Sequence, residues 1–228
     1  ESVEFGLFVK EVVREMTVKT GQKCTAVRRA MVPEDLLDAA QAAIAGRLSK
    51  TTHGDPSVEG TRMGSLASFE QIQRVQDAVQ ILSSNQTLVH GNLDGSGNPT
   101  GNHADGAFFA PVLFRCDDPY GKTKAHDVEA FGPVCTLMPY KSLSDAANLV
   151  AKGKGSLVTS IVTADKDVAK AFTLEAAYSN GRIHILDASC AKESTGHGSP
   201  MPLLAHGGPG RAGDGEEMGG MRGVMHYL

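Results

Sequence analysis

The 228-residue chain has no tryptophan, only 5% of its residues are aromatic, and its 22 Lys and Arg are outnumbered by 26 Asp and Glu. A nucleic-acid surface needs the reverse, a basic field interleaved with flat rings on which bases stack, and no such run occurs. Nucleic acid is therefore excluded as an expected partner. No apolar stretch approaches the roughly 20 residues of a membrane span, and the N-terminus has neither the charged nor the apolar region of a signal peptide. The expectation is a cytoplasmic protein with no membrane partner. Cysteine is also sparse: Cys24, Cys116, Cys135 and Cys190 are scattered, with no C-x-x-C pair and no histidines at metal-ligand spacing. Reduced thiols and no metal site are expected. An initiating methionine is missing too, and Glu1 opens inside a pattern that already reads as helix, which predicts an excised piece of a longer protein.

What is present is the composition of a soluble globular protein, 41% apolar and 21% charged, in a chain long enough for one large or two small domains. Phe5, Val9, Val12, Val13 and Met16 recur at helical spacing until Gly21 stops the pattern. Residues 26–32 read as extended, and Pro33-Glu34 opens a helix on Leu36, Leu37, Ala40, Ile44 and Leu48. Ser68 stands three residues before Gln71 in a capping-box pattern, and Ser142 and Asp165 open two further helices. Strands are expected at 87–90, 108–114, 134–140, 157–163 and 182–187. Pro111 makes the second of these an edge strand or one that ends at a bend. This alternation predicts one α/β domain over residues 1–228 with a largely parallel sheet. The glycine-rich run 189–223 is too long for a casual loop, so it is either functional or poorly ordered.

Chemistry concentrates at Lys19 to Arg29, KTGQKCTAVRR. A cysteine on a turn can offer its sulfur and its own N–H to a carbonyl carbon and oxygen, which suits covalent attack on an aldehyde or acyl group. Most unpaired cysteines are small buried apolar residues, but the neighbours of Cys24 do not form an apolar strand. Lys23, Arg28 and Arg29 would favour a thiolate if they faced it. A Cys–His hydrolase or acyltransferase, with His184, His197 or His206 as base, stays open because such partners meet only in space. Asp94, Ser96, Asn98 and Asp105 faintly resemble a calcium loop, but Pro99 stands where Gly is needed and the bidentate Glu is missing, so a hairpin turn is expected. Gly208 to Gly213 formally matches G-x-G-x-x-G, yet too little chain follows for the helix and acidic residue the fingerprint requires.

Gly21-Gln22-x-Cys24-x-Ala26-x-x-Arg29, Gly54-Asp55-Pro56, Met63-Gly64, Gly106 to Pro111, Glu129-x-Phe131-Gly132-Pro133 and the glycine-rich tail occur in an order that resembles the catalytic half of the NAD(P)-dependent aldehyde dehydrogenase superfamily. The resemblance covers essentially the whole chain and implies the three-layer α/β catalytic domain of that family. It implies Cys24 as the nucleophile that forms a thiohemiacetal and then a thioester, with its N–H as half of an oxyanion hole. It implies Glu129 on the nicotinamide ribose hydroxyls of NADP or NAD, Phe131 beside the nicotinamide, and a homo-oligomeric intact protein whose oligomerisation strands are incomplete in this chain.

The tail departs from the family pattern P-F-G-G-x-K-x-S-G-x-G-R-E-x-G. From Ala205 to Gly219 the glycine frame is kept, but Phe, Lys, Ser and Arg give way to His206, Gly210, Ala212 and Glu216. That combination, with EVVREMTVKTGQKCTAVRR, most resembles the phenylacetate-degradation semialdehyde dehydrogenases fused to an enoyl-CoA hydratase-like domain, which implies a CoA-linked semialdehyde as substrate. In the family the nucleotide-binding domain, the water-activating glutamate and the oxyanion asparagine lie upstream of the cysteine. The 23 residues before Cys24 have no room for a strand–helix–strand unit of about 30 residues, so a fragment inactive on its own is expected.

Overall fold

The computed structural model describes residues 3–101, 106–198 and 206–213, with positions 221, 224, 225 and 228. The chain forms two compact units, one from Val12 to Tyr140 and the other from Glu1–Glu11 with Lys141–Leu228.

In the first unit, β1 (Arg29–Pro33), β2 (Thr87–His90), β3 (Val112–Arg115) and β4 (Val134–Tyr140) make one sheet in the order β1-β4-β3-β2. β1 and β3 run parallel to β4, and β2 runs antiparallel to β3. Five successive buried residues, Val134 to Met138, mark β4 as an interior strand covered on both faces. α1 (Val3–Thr17) passes from one unit into the other. α2 (Leu37–Leu48) buries Leu37, Ala40, Ile44 and Leu48, spaced at three and four residues, while Leu36 stays on an exposed 3-10 turn ahead of it. α3 (Phe69–Ser83) packs Val75, Ala78, Val79 and Leu82 into a core with Phe109, Val112, Phe114 and Val134. The capping expected at Ser68 is present: its Oγ accepts from the Gln71 N–H at 3.2 Å.

One strand differs from the sequence expectation. The apolar run from Phe108 enters the sheet only at Val112, and β3 lies between β2 and β4 rather than at an edge. Pro111 explains the late start: the ladder begins after it, so its missing N–H removes no rung.

In the second unit, β5 (Ser156–Val162) and β6 (Asn180–Leu186) pair parallel, with α4 (Leu143–Ala151) and α5 (Lys166–Ala176) between and beside them in sequence. Ser142 caps α4 by accepting from the Asp145 N–H, and Asp165 caps α5 by accepting from the N–H groups of Asp167 and Val168. Among the described tail residues, Gly207 and Gly208 lie so close to Gly181 that any side chain there would meet main chain, and the Arg211 N–H donates to the Lys154 carbonyl. The described glycines thus back onto the starts of both strands. Asp105, Ala205, Asp214, Glu216 and Gly219 lie outside the described residues. Among those described, no helix is long and apolar enough to cross a membrane.

Candidate active site

Cys24 occupies the second position of a tight turn closed by the Ala26 N–H on the Lys23 carbonyl, and its residue is exposed. Before it, Lys19, Thr20 and Gly21 stand consecutively in the left-handed region, at φ 54°, 55° and 68°. Two of the three carry a Cβ, so the chain accepts about 1–2 kcal/mol of local strain for each. Side chains hold this shape. Thr20 Oγ1 donates to the Gly64 carbonyl at 3.0 Å, and Gln22 accepts from the Ala67 N–H at 2.8 Å. Gly21 has no freedom to be anything else, because a Cβ there would run into the Gly132 carbonyl.

Gly132 belongs to the second expected motif, so main-chain contact brings the cysteine turn and Glu129–Pro133 together. Arg28 completes the junction. Its Nη1 donates to the Gly132 carbonyl at 2.7 Å, and its Nη2 donates to those of Gly21 at 2.7 Å and Lys23 at 3.3 Å. Its Nε donates to Glu129 Oε1 at 3.3 Å, and its carbon lies 5.3 Å from the centre of the Phe131 ring. Burial pushes the Arg28 guanidinium down from its ordinary range; Glu129 opposes that most strongly, and the sulfurs of Cys135 and Cys24 also lie within charge range.

The other two basic neighbours each have a side-chain partner. Lys23 Nζ donates to Glu15 Oε2, a carboxylate that is only 2% exposed on α1. Arg29 Nη1 meets His126 Nδ1 at 3.0 Å. Neither the Glu15 nor the Arg28 partnership was legible in spacing. A charged residue beside Met16 on the buried face of α1 was the one signal that could have pointed to the first.

Glu129 and Phe131 remain accessible. The Glu129 side chain is 49% exposed, and with Oε1 shared by Arg28 it retains acceptor capacity for two vicinal hydroxyls. Phe131 is 40% exposed, which sets it apart from an ordinary core aromatic, and its carbonyl accepts from Gln71 Nε2 at 2.8 Å. An exposed ring beside an exposed carboxylate fits a nicotinamide riboside. The remaining motifs knit into the same unit: the Leu66 N–H donates to the Ala107 carbonyl, and the Asp55 N–H to that of Thr100.

The candidate histidine bases belong to the second unit. Ser160 Oγ contacts Nδ1 of both His184, at 3.0 Å, and His197, at 2.7 Å, and His184 Nε2 meets Ser194 Oγ at 2.9 Å. His184, His197 and His206 belong to the second unit, and Cys24 to the first. Asp94 accepts from the Ser96 N–H, the geometry of a turn, and no group of three metal-ligating side chains occurs among the described residues. Gly210–Ala212 forms a single 3-10 turn, not a nucleotide-binding helix.

A family model described as aldehyde dehydrogenase family matches residues 1–228. The chain is 48% identical over 168 residues to protein MaoC of Klebsiella aerogenes, covering 73% of this chain and 48% of that protein. It is 39% identical over 206 residues to a 3,4-dehydroadipyl-CoA semialdehyde dehydrogenase of Aromatoleum evansii, covering 90% of this chain and 40% of that one. The chain thus spans less than half the length of these relatives. Among solved structures, betaine aldehyde dehydrogenase of Staphylococcus aureus with NAD+ superposes at a TM-score of 0.84, with 22% identity over 98% of this chain and 41% of that chain. An aldehyde dehydrogenase of Pseudomonas syringae with NAD+ and octanal superposes at 0.79, with 25% identity over 100% of this chain and 43% of the other.

Proposed function

Because the chain belongs to the aldehyde dehydrogenase family, we propose that residues 1–228 are the catalytic domain of an NAD(P)-dependent enzyme that oxidises an aldehyde to the acid through Cys24. The observation that carries the reading is the exposed Cys24 turn locked against the Glu129–Pro133 loop, which brings an exposed thiol, an exposed carboxylate and an exposed ring into one small region. The Cys24 sulfur, as thiolate, bonds to the aldehyde carbon, and its own N–H stabilises the developing alkoxide. Bound NADP or NAD would supply the acceptor for the hydride that leaves this thiohemiacetal. Water then cleaves the Cys24 thioester, releasing the acid and restoring the thiol. Glu129 would hold the ribose hydroxyls, and Phe131 would pack beside the nicotinamide.

The likeness to the Aromatoleum enzyme favours a CoA-linked semialdehyde as substrate, and the family resemblance of the sequence supports a role in aromatic-acid catabolism and a cytoplasmic, homo-oligomeric intact protein. The test is turnover of 3,4-dehydroadipyl-CoA semialdehyde by the intact protein with NADP+ and NAD+. Cys24→Ala should lower kcat by at least about 10⁴-fold, as for other covalent nucleophiles. Turnover by Cys24→Ala near the parent rate would refute the reading. The 228-residue chain alone should reduce neither cofactor.

A further inference from the structure

Arg28 occupies one of the open positions in Gly21-Gln22-x-Cys24-x-Ala26-x-x-Arg29, so the motif itself gives it no role. Burying a guanidinium is costly, and an apolar side chain of similar volume would normally stabilise a core as well or better. The hydrogen bonds of Arg28 are also not spread over the core. They go to the carbonyls of Gly21 and Lys23 on one side of Cys24, to the Gly132 carbonyl, and to Glu129, while its plane lies near the Phe131 ring. A planar fork with five N–H groups can serve all of these at once; an ammonium group cannot.

We propose that Arg28 is a positioning residue that holds the Cys24 turn and the Glu129–Pro133 loop in a single register. Two functions of the side chain can then be separated. Its charge aligns the Glu129 carboxylate and the Phe131 ring for the nicotinamide side, and its fork fixes the carbonyls of Gly21 and Lys23, which lead into Cys24, against that of Gly132. The inference rests on the aldehyde-oxidation reading for its steady-state measurements but not for thiol reactivity.

The experiment compares Arg28→Met and Arg28→Lys with the parent in the intact protein, using NADP+, 3,4-dehydroadipyl-CoA semialdehyde and, separately, alkylation of Cys24 by iodoacetamide. Arg28→Met should raise the KM for NADP+ about tenfold and change the Cys24 alkylation rate by about fivefold. Arg28→Lys should return the cofactor KM to within about threefold of the parent while kcat stays down by about tenfold, because a cation is restored but the register is not. A folded Arg28→Met with cofactor KM and alkylation rate both within about twofold of the parent overturns the proposal. If Arg28→Met fails to fold, Arg28→Lys decides alone, and a parent-like kcat overturns it. Activity surviving in Cys24→Ala would remove the aldehyde-oxidation reading and leave the alkylation comparison standing, whereas an inactive Cys24→Ala beside a parent-like Arg28→Lys would remove only this inference.

Discussion

Gly21 combines two requirements that no other residue meets, a left-handed backbone and a surface against which the Gly132 carbonyl can lie. Gly21→Ala should therefore cost about 2–4 kcal/mol, from the disfavoured φ and from the enforced separation of the two loops. Urea unfolding measures this, and a midpoint matching the parent would show that the loops part without penalty. At this scale the sequence was informative where a residue sits inside a spaced motif, as Gly21, Cys24, Glu129 and Phe131 do. It named Arg28 only as a possible neighbour of the thiol, because spacing records which residues are present and not which carbonyls a guanidinium will meet after folding. Of the three basic residues expected to favour a thiolate if they faced Cys24, Arg28 bonds to both motifs, while Lys23 donates to Glu15 and Arg29 meets His126.

α3 contributes more than its buried face. Ser68 accepts from the Gln71 N–H, and the Gln71 side chain donates to the Phe131 carbonyl, so the first turn of this helix supports the Glu129–Pro133 loop. Ser68→Ala should cost about 1 kcal/mol of stability, and Ser68→Asp, which keeps an acceptor, only a fraction of that. Thermal unfolding of the two variants checks the order; equal losses would mean that the cap contributes nothing. Helices were legible because their apolar residues recur with a period near 3.6 and their caps are specific side chains, as at Ser68, Ser142 and Asp165. Strand limits were less so. Phe108 to Pro111 is as apolar as a strand but stays outside the ladder ahead of β3, and nothing in the sequence divided six strands between a four-stranded and a two-stranded sheet.

Across the molecule, burial sets the response to alkali. It pushes the Cys135 thiol up to about 12 and raises those of Cys116 and of the Tyr140 phenol, the last with help from Asp35. The unfolded chain releases these protons first, so above the ordinary thiol range it binds fewer protons than the native state. The associated stability is complete below about pH 9 and is lost as pH rises toward about 12, with Cys135 contributing on the order of 4 kcal/mol over the full range. Urea midpoints should fall from pH 9 to 11, less steeply in Cys135→Ala, and a flat profile would contradict the assignment. The bonds around Cys24 have a different consequence, for redesign. Gln22 grips Ala67 through its N–H, Thr20 grips Gly64 through its carbonyl, and Arg28 grips Gly21, Lys23 and Gly132 through theirs. Because the scaffold is fastened to main chain, the exposed side chains of Ser65 and Ala67 can be varied without removing any of these bonds, so the nucleophile keeps its mounting.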